Sequence, residues 1–502
     1  MNLTQAVGID LGTTFSAIAI VGEHGQATPV PNVEGAMTTP SVAIWQQNGY
    51  LVGQPALDLV QRSQGAEREQ LAAALIRGVK RMVGNPPTGG LVSNGRNTSP
   101  VEVSAAILAK LARDASLRLG FKVRDVVVTV PAHFGDRERS STKAAAEMAG
   151  LRVLRMINEP SAAALTYSKG KLVSTGTALV FDLGGGTFDA TVLQLGEKES
   201  RVLATQGIEE LGGINFTNSL ANLLRRRCEA QTKTTYPQDS MATDRLVTEA
   251  ESAKCTLSTA TTATVQLFSA QGTPVALTVS REQFEELIDL FVYQLQTAVE
   301  MALEMAKKSP TEIDRVLLCG GSSRIPAVQQ MLATLFGRPP EQVLDLDLSV
   351  ALGAAYEAYN HERAAAARQQ PALQGLQVMS AGLVIDCVSY PVGIAVLNAR
   401  RDDFTKLVML QPGDPLESWS QPYTVRIIGS ASFPPISIYQ GAGMMLDPRD
   451  HLGDITLTLP PNTPDGARAT IRMLQDQSGL IQIQLTIEGK ELPGHLQRAV
   501  TL

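Results

Sequence analysis

Several features are scarce in this 502-residue chain, and each scarcity removes a class of protein. No apolar run reaches about 18 residues without a charge, so no membrane-spanning helix is expected. Cysteine is limited to Cys228, Cys255, Cys319 and Cys387, scattered without CxxC or metal-ligand spacing. They read as free thiols of a reducing compartment. A basic excess is missing too: the net charge of −6 argues against a dedicated nucleic-acid binder. The one basic run, Arg225–Arg226–Arg227, fits a solvated helix face. The start, MNLTQAVGID, lacks the basic n-region of a signal peptide, which points to a cytoplasmic protein. No GxxxxGK[ST] occurs, so any phosphate binding must do without a P-loop.

What is present is a globular composition, 44% apolar and 18% charged, long enough for two or three domains. Up to about residue 370, apolar strands alternate with amphipathic helices, the pattern of α/β architecture. SPVEVSAAILAKLARDASLRLG (99–120) predicts a helix capped by Ser99, with Pro100 in its first turn, a capping box to Glu102 and a stop at Gly120. DVVVTVP (125–131) predicts a buried strand and GDRERSSTKAAAEMAG (135–150) another helix. From about Leu383 the helical patterns give way to short strands, ITLTL (455–459), ATIRML (469–474) and LIQIQLTI (480–487). In the last, Ile481, Ile483, Leu485 and Ile487 share one face. Turns such as QPGD, LPPNTPDG and DQSG separate these strands, as in an all-β module. Between the two parts, LQGLQVMSAGLVID (373–386) is apolar without helical logic and is expected to dock on a neighbour.

The stretch AVGIDLGTTFSAIAIV (6–21) is echoed by ALVFDLGGGTFDATVLQL (178–195). With one inserted glycine, Asp10, Leu11, Gly12, Thr14 and Phe15 align with Asp182, Leu183, Gly184, Thr187 and Phe188. One such hairpin would say little, because hairpin turns often carry Asp and Gly. Two suggest duplicated lobes facing a common ligand. Glycine turns let backbone N–H groups approach phosphate oxygens, and adjacent aspartates can hold Mg²⁺ through its waters. VLLCGGSSRIPAVQQML (316–332) adds a third glycine site, after a strand and opening a helix, the form of a nucleotide contact.

IDLGTT, KRMVG (80–84), VVVTVPAHF (126–134), INEPSAAAL (157–165), FDLGGGTFD (181–189) and GGSSRIP (320–326) together resemble the heat-shock 70 (DnaK-like) chaperones, from Val7 to about Ile487. The resemblance implies an α/β, actin-like and sugar-kinase-like two-lobed ATPase domain over 1–370. A linker at 371–386 and an all-β sandwich peptide-binding domain at 387–502 follow, without the family's helical lid. It implies ATP/ADP and Mg²⁺ as cofactors, with Asp10 and Asp182 ordering the metal's water shell. Gly12, Thr13, Thr14, Gly184, Gly185 and Gly186 would embrace the phosphates. Lys80 would place the attacking water, and Glu159, Thr187 and Asp189 would complete the water and metal network. That division suits phosphoryl transfer, where positioning and electrostatics do most of the catalysis.

The same resemblance assigns nucleotide contacts to Gly212, Gly213, Gly320, Gly321, Ser322 and Asp347. Glu251, Lys254 and Ser258 stand at i, i+3 and i+7 on one stripe, with Arg324 opposite; alone, that stripe also fits a solvated helix face. Pro131 and Arg139 match relay positions, and Arg155, Asn158 and Asp386 match those used with a J-domain co-chaperone. Ile394, Leu397, Tyr423 and Ile436 fall near the peptide pocket, or equally in plain sandwich core. The implied partners are extended polypeptide, a J-domain protein and a nucleotide exchange factor.

Departures from the family pattern also stand out. Cys255 takes the place of an arginine that stacks on adenine. Ile214 and Asn215 replace acidic residues, which is expected to loosen inter-lobe contacts. Pro434 falls at the central pocket, Gly382 stands where the linker is usually apolar, and 85–98 is short. These features keep open a second reading, a nucleotide-binding regulator with little client turnover. A sugar kinase of the same superfamily would need neither the 383–502 module nor INEPSAAAL.

Overall fold

The computed structural model describes residues 5–169, 175–196, 199–341, 345–369, 383–397, 403–426, 435–441, 443, 446–455, 463–464, 466–487, 489–492 and 496–498. Two sheets are built alike. In the first, Val7–Asp10 and Phe15–Val21 form an antiparallel hairpin, and Val7–Asp10 also runs parallel to Asp125–Val130. In the second, Gly176–Leu183 and Phe188–Leu195 form the hairpin, with Arg315–Cys319 parallel to the former. The sequence echo is therefore a repeat of topology. These strands are apolar almost throughout and buried on both faces, as strands flanked by helices must be. The helix Ser349–Gln369 covers the first hairpin with small side chains, burying Ala351, Ala354, Ala355 and Ala358.

The expected helices form with their expected ends. Ser99 and Glu102 close a capping box on Pro100–Leu119, and Gly120 ends it in the left-handed conformation. The second helix spans Asp136–Met148. Arg225, Arg226 and Arg227 lie on the helix Gly213–Thr232, none of them buried. All four cysteines are free; Cys228, Cys319 and Cys387 are buried and Cys255 is exposed. Among the described residues, no helix is long and apolar enough to cross a membrane.

After the two lobes comes a β-sandwich. One sheet orders Phe404–Leu410, Val392–Leu397, Ile436–Gln440, His451–Ile455 and Leu496–Arg498; the other orders Tyr423–Arg426, Arg468–Gln475, Ile481–Ile487 and Lys490–Leu492. Val392, Ile394, Ile438, Ile455, Ile471, Met473 and Leu485 fill the space between them. The strand expected at 455–459 is seen as His451–Ile455; residues 456–459 lie outside the described residues. Of the apolar connecting segment, Leu383–Ile385 adds as a parallel edge strand to Glu199–Arg201, so this part does dock. Gly382 and Pro434 both lie outside the described residues.

Candidate active site

The two D-L-G turns meet face to face. A Cβ placed on Gly185 would lie 2.0 Å from Thr14 Oγ1, and one on Gly186 would lie 2.7 Å from Thr13 Cγ2. Only glycine permits this approach between lobes, and it leaves backbone N–H groups free of side-chain cover. The turn is braced from below: Gly213 N donates to Gly184 O at 3.0 Å, and Ile214 N donates to Gly185 O at 2.8 Å. Asn215 Oδ1 accepts from Gly212 N at 3.0 Å, which anchors the start of the helix Gly213–Thr232. Gly12 closes the first turn, where a Cβ would lie 2.0 Å from Phe15 O.

Beneath the turns sit the charged groups. Lys80 is buried and pairs with Glu159, itself at the start of the helix Glu159–Lys169. Thr129 Oγ1 donates to Asp10 Oδ1 at 2.9 Å. Burial pushes Asp10 upward against the pull of Lys80. Burial, with Glu159, Asp189 and Asp10 nearby, raises Asp182 well above the carboxylate range. Glu159 is pushed up to about 7, mainly by burial and against Lys80. Lys80 is held above its ordinary value: burial lowers it, but Glu159, Asp10 and Asp182 outweigh that. Thr187 and Asp189 are buried beside this group.

Three buried carboxylates, Glu159, Asp182 and Asp189, and the partly exposed Asp10 share one ammonium, and that donor set fits a divalent cation. Among the described residues, no three acidic, imidazole or thiol groups converge for direct ligation. Asp10 and Asp182 therefore suit an ion that keeps its waters. The hard oxygen donors suit Mg²⁺.

On the far wall, Lys254 points inward: Nζ donates to Gly213 O at 3.1 Å, Thr217 Oγ1 at 3.0 Å and Glu251 Oε2 at 2.7 Å. Lys254 is thus buried, while Glu251 and Ser258 remain partly exposed. A Cβ on Gly213 would sit 2.4 Å from Ser322 Oγ and 3.0 Å from Lys254 Nζ, so these three converge. Ser258 caps this helix and donates to Lys254 O at 3.3 Å. Arg324 pairs with Asp347 at 3.0 Å, beside Gly321, and Gly320 abuts Leu183 O. Across the mouth, Arg77 meets Asp244 at 2.7 Å. Ile214 Cδ1 comes within 3.9 Å of where a Cβ on Gly78 would stand, so Ile214 faces the other lobe, while Asn215 bonds within its own.

A second constellation lies where the sandwich meets the first lobe. Arg139 donates to Asn158 Oδ1 at 2.6 Å, to Phe134 O at 2.8 Å and to Ser478 O at 3.1 Å. Arg155 pairs with Glu357, donates to Gln477 O at 3.2 Å and lies 3.9 Å from Asp386. Asp386 accepts from Ser161. Asp136 N donates to Gln440 Oε1 at 2.7 Å, and Ile481 N donates to Asp136 Oδ1 at 2.8 Å. Leu480 enters an apolar patch of Val130, Phe134 and Met156, directly beside Pro131. The structure thus gathers Pro131, Arg139, Arg155, Asn158 and Asp386 at one interface.

Ile394 and Ile436 are buried in the sandwich core, and Tyr423 packs against it. Leu397 ends its strand, and its side chain lies outside the described residues.

Sequence reasoning missed His133. Its Nδ1 lies 2.9 Å from Asp189 Oδ1, both side chains buried, while Nε2 has no partner. Two residues past Pro131, and next to Ala132, whose carbonyl accepts from Ser389 Oγ at 2.8 Å, it stands between the carboxylate group and the sandwich. The signal was available, as a histidine inside the quoted VVVTVPAHF.

Two facing lobes that meet at duplicated glycine turns, with a β-sandwich docked beside them, define a peptide-handling ATPase class. The chain belongs to the Hsp70 family: the family model described as Hsp70 protein matches residues 6–492. It is 34% identical over 524 residues to chaperone protein DnaK of Deinococcus deserti, covering 100% of this chain and 80% of the relative. It is 40% identical over 383 residues to the Deinococcus radiodurans chaperone protein DnaK, covering 71% of this chain and 59% of the relative. With chaperone protein DnaK of Thermus thermophilus it shares 40% identity over 375 residues, 71% of this chain and 61% of the relative. The chain is accordingly an ATP-dependent chaperone with an ATPase domain.

Proposed function

We propose that the chain hydrolyses ATP between the two D-L-G turns and uses the cycle to bind and release extended apolar polypeptide in the cytoplasm. The close approach of Thr13 and Thr14 to Gly185 and Gly186 carries the first half of this reading. Gly184 N donates to Thr187 O at 3.1 Å and so shapes the turn, while the amides of Gly12, Gly185 and Gly186, with the two threonines, hold the phosphates in line. Lys80, kept cationic by its acidic neighbours, positions the attacking water and stabilises charge developing on the transferred group. Glu159, Thr187 and Asp189 orient that water. Asp10 and Asp182 would hold Mg²⁺ through its waters, and the ion would supply charge neutralisation at the phosphates. Glu251, Lys254, Ser258, Gly320, Gly321, Ser322, Arg324 and Asp347 form the nucleoside end, with Gly212 and Gly213 between.

The second half rests on the docked edge strand Leu383–Ile385 and on the contacts of Arg139 to the sandwich. Pro131, Arg139 and Asn158 carry nucleotide state to that interface. Arg155, Asn158 and Asp386 offer the surface for a J-domain protein, and an exchange factor resets the nucleotide. Polypeptide is held through Ile394, Leu397, Tyr423 and Ile436 once the sandwich opens, by main-chain hydrogen bonds and a side-chain pocket. Single-turnover hydrolysis of Mg·ATP tests the site. Lys80→Ala should lower the rate about 10²–10³-fold, the scale of removing one transition-state donor, while nucleotide still binds. An unchanged rate would remove Lys80 from this role.

A further inference from the structure

His133 belongs to the first lobe, but its ring lies on the second. It follows the strand Asp125–Val130 in a turn closed by Phe134 N, which donates to Pro131 O at 3.1 Å. The residue is 2% exposed, and its ring stands edge-on to Phe134 with centroids 5.7 Å apart. In the second lobe, Asp189 and Gly207 face each other on the neighbouring strands Phe188–Leu195 and Glu199–Ile208. The imidazole covers this pair. Its Nδ1 is 2.9 Å from Asp189 Oδ1, and a Cβ on Gly207 would lie 2.6 Å from the same nitrogen. A residue without a side chain at 207 is what lets the ring reach the carboxylate.

The contact is exclusive on both sides. Among the described residues, Nε2 has no partner, and nothing else hydrogen-bonds to the Asp189 carboxylate. An apolar ring would fill the same space without burying an unpaired nitrogen, so what the imidazole adds is its second nitrogen, Nδ1. Facing a carboxylate oxygen, Nδ1 carries the proton and donates it. An aspartate without such a partner turns freely about its last torsion, whose preferences are broad.

We propose that His133 is a positioning residue for ATP hydrolysis. By engaging Oδ1, it holds the Asp189 carboxylate in one orientation and leaves Oδ2 to orient the attacking water. The inference rests on the reading of Asp189 as a water-orienting group. His133 acts through Asp189 and not on the nucleotide itself.

Single-turnover hydrolysis of Mg·ATP by the full chain, with ATP affinity measured by calorimetry on the same proteins, tests this. His133→Leu should slow hydrolysis about 10- to 100-fold, the scale of losing a partner that orients a working group, while affinity stays within about twofold. His133→Asn, whose amide can donate from near the place of Nδ1, should recover most of that loss. Gly207→Ala should slow hydrolysis likewise, because the added methyl displaces the ring. Asp189→Asn should also be slow, and combining it with His133→Leu should cost little more than the worse single change. Undiminished hydrolysis in His133→Leu beside a slow Asp189→Asn would overturn this proposal alone. Equal losses of rate and affinity, equal losses in His133→Leu and His133→Asn, or full additivity with Asp189→Asn would overturn it too. An unaffected Asp189→Asn would overturn the water-orienting reading of Asp189 and this proposal with it.

Discussion

Cys255 stands on the cleft-facing helix next to Glu251 and Lys254, its Sγ 3.5 Å from Glu251 Oε1. Burial and Glu251 raise its thiol, while the positive charges of Lys254 and Arg324 pull the other way. A thiol here offers no cation to stack on a purine. Cys255→Arg should therefore tighten ATP binding by roughly a few-fold to thirtyfold, the range of a cation–π contact, as measured by calorimetric titration. His133 makes a different prediction. Burial lowers its imidazole, but Asp189, with Glu209 and Glu159 behind it, leaves it above the ordinary value of 6.5. A histidine raised in the folded state stabilises fully below about pH 6.5, and that contribution is lost as pH rises through the folded value. Thermal melts of the nucleotide-free protein should show wild type losing stability relative to His133→Gln between pH 6 and pH 8. A constant difference across that window would mean His133 does not titrate there.

Among the elements, the edge strand Leu383–Ile385 is the smallest whose loss should matter most. Val384 is buried against the second lobe. Val384→Asp would place a carboxylate there and free the strand. ATP binding should survive, while peptide stimulation of hydrolysis should disappear, a coupling of about 1–3 kcal/mol. Retained stimulation would show that the strand is not the connection. The sandwich side of the interface depends on the turn Asp476–Gly479. Asp476 Oδ1 accepts from Ser478 N and Leu480 N, and Gly479 adopts φ +73°. A Cβ there would lie 2.9 Å from the Arg139 guanidinium.

Much of this was legible beforehand. Capping residues fixed the helix Pro100–Leu119, and the paired D-L-G stretches announced both hairpins and the cleft between them. The turn DQSG was legible only as a separator of strands. Its partners, Arg139 and Arg155, reach backbone carbonyls of Ser478 and Gln477, and a carbonyl carries no sequence signature. Sequence placed Lys254 toward the cleft, but its partner Gly213 was hidden for the same reason, because it receives Lys254 through its carbonyl. His133 was hidden differently: a single histidine on a buried segment becomes distinctive only once Asp189 is seen opposite it.

At the scale of the whole molecule, chains of contacts lead from the buried carboxylates to the docked sandwich. One runs from Lys80 and Glu159 through Asn158 and Arg139 to the Ser478 turn, and another from Asp189 through His133 to the start of the sandwich. With the sandwich docked, Ile394 and Ile436 are closed into its core, so peptide release and docking are expected to go together. The dissociation rate of a labelled apolar peptide, measured first with ADP and then with ATP, tests this most directly. Release should be faster with ATP by about tenfold or more, given coupling of 1–3 kcal/mol. Equal rates in the two nucleotides would contradict it, leaving an ATPase and a sandwich that share a chain without acting on each other.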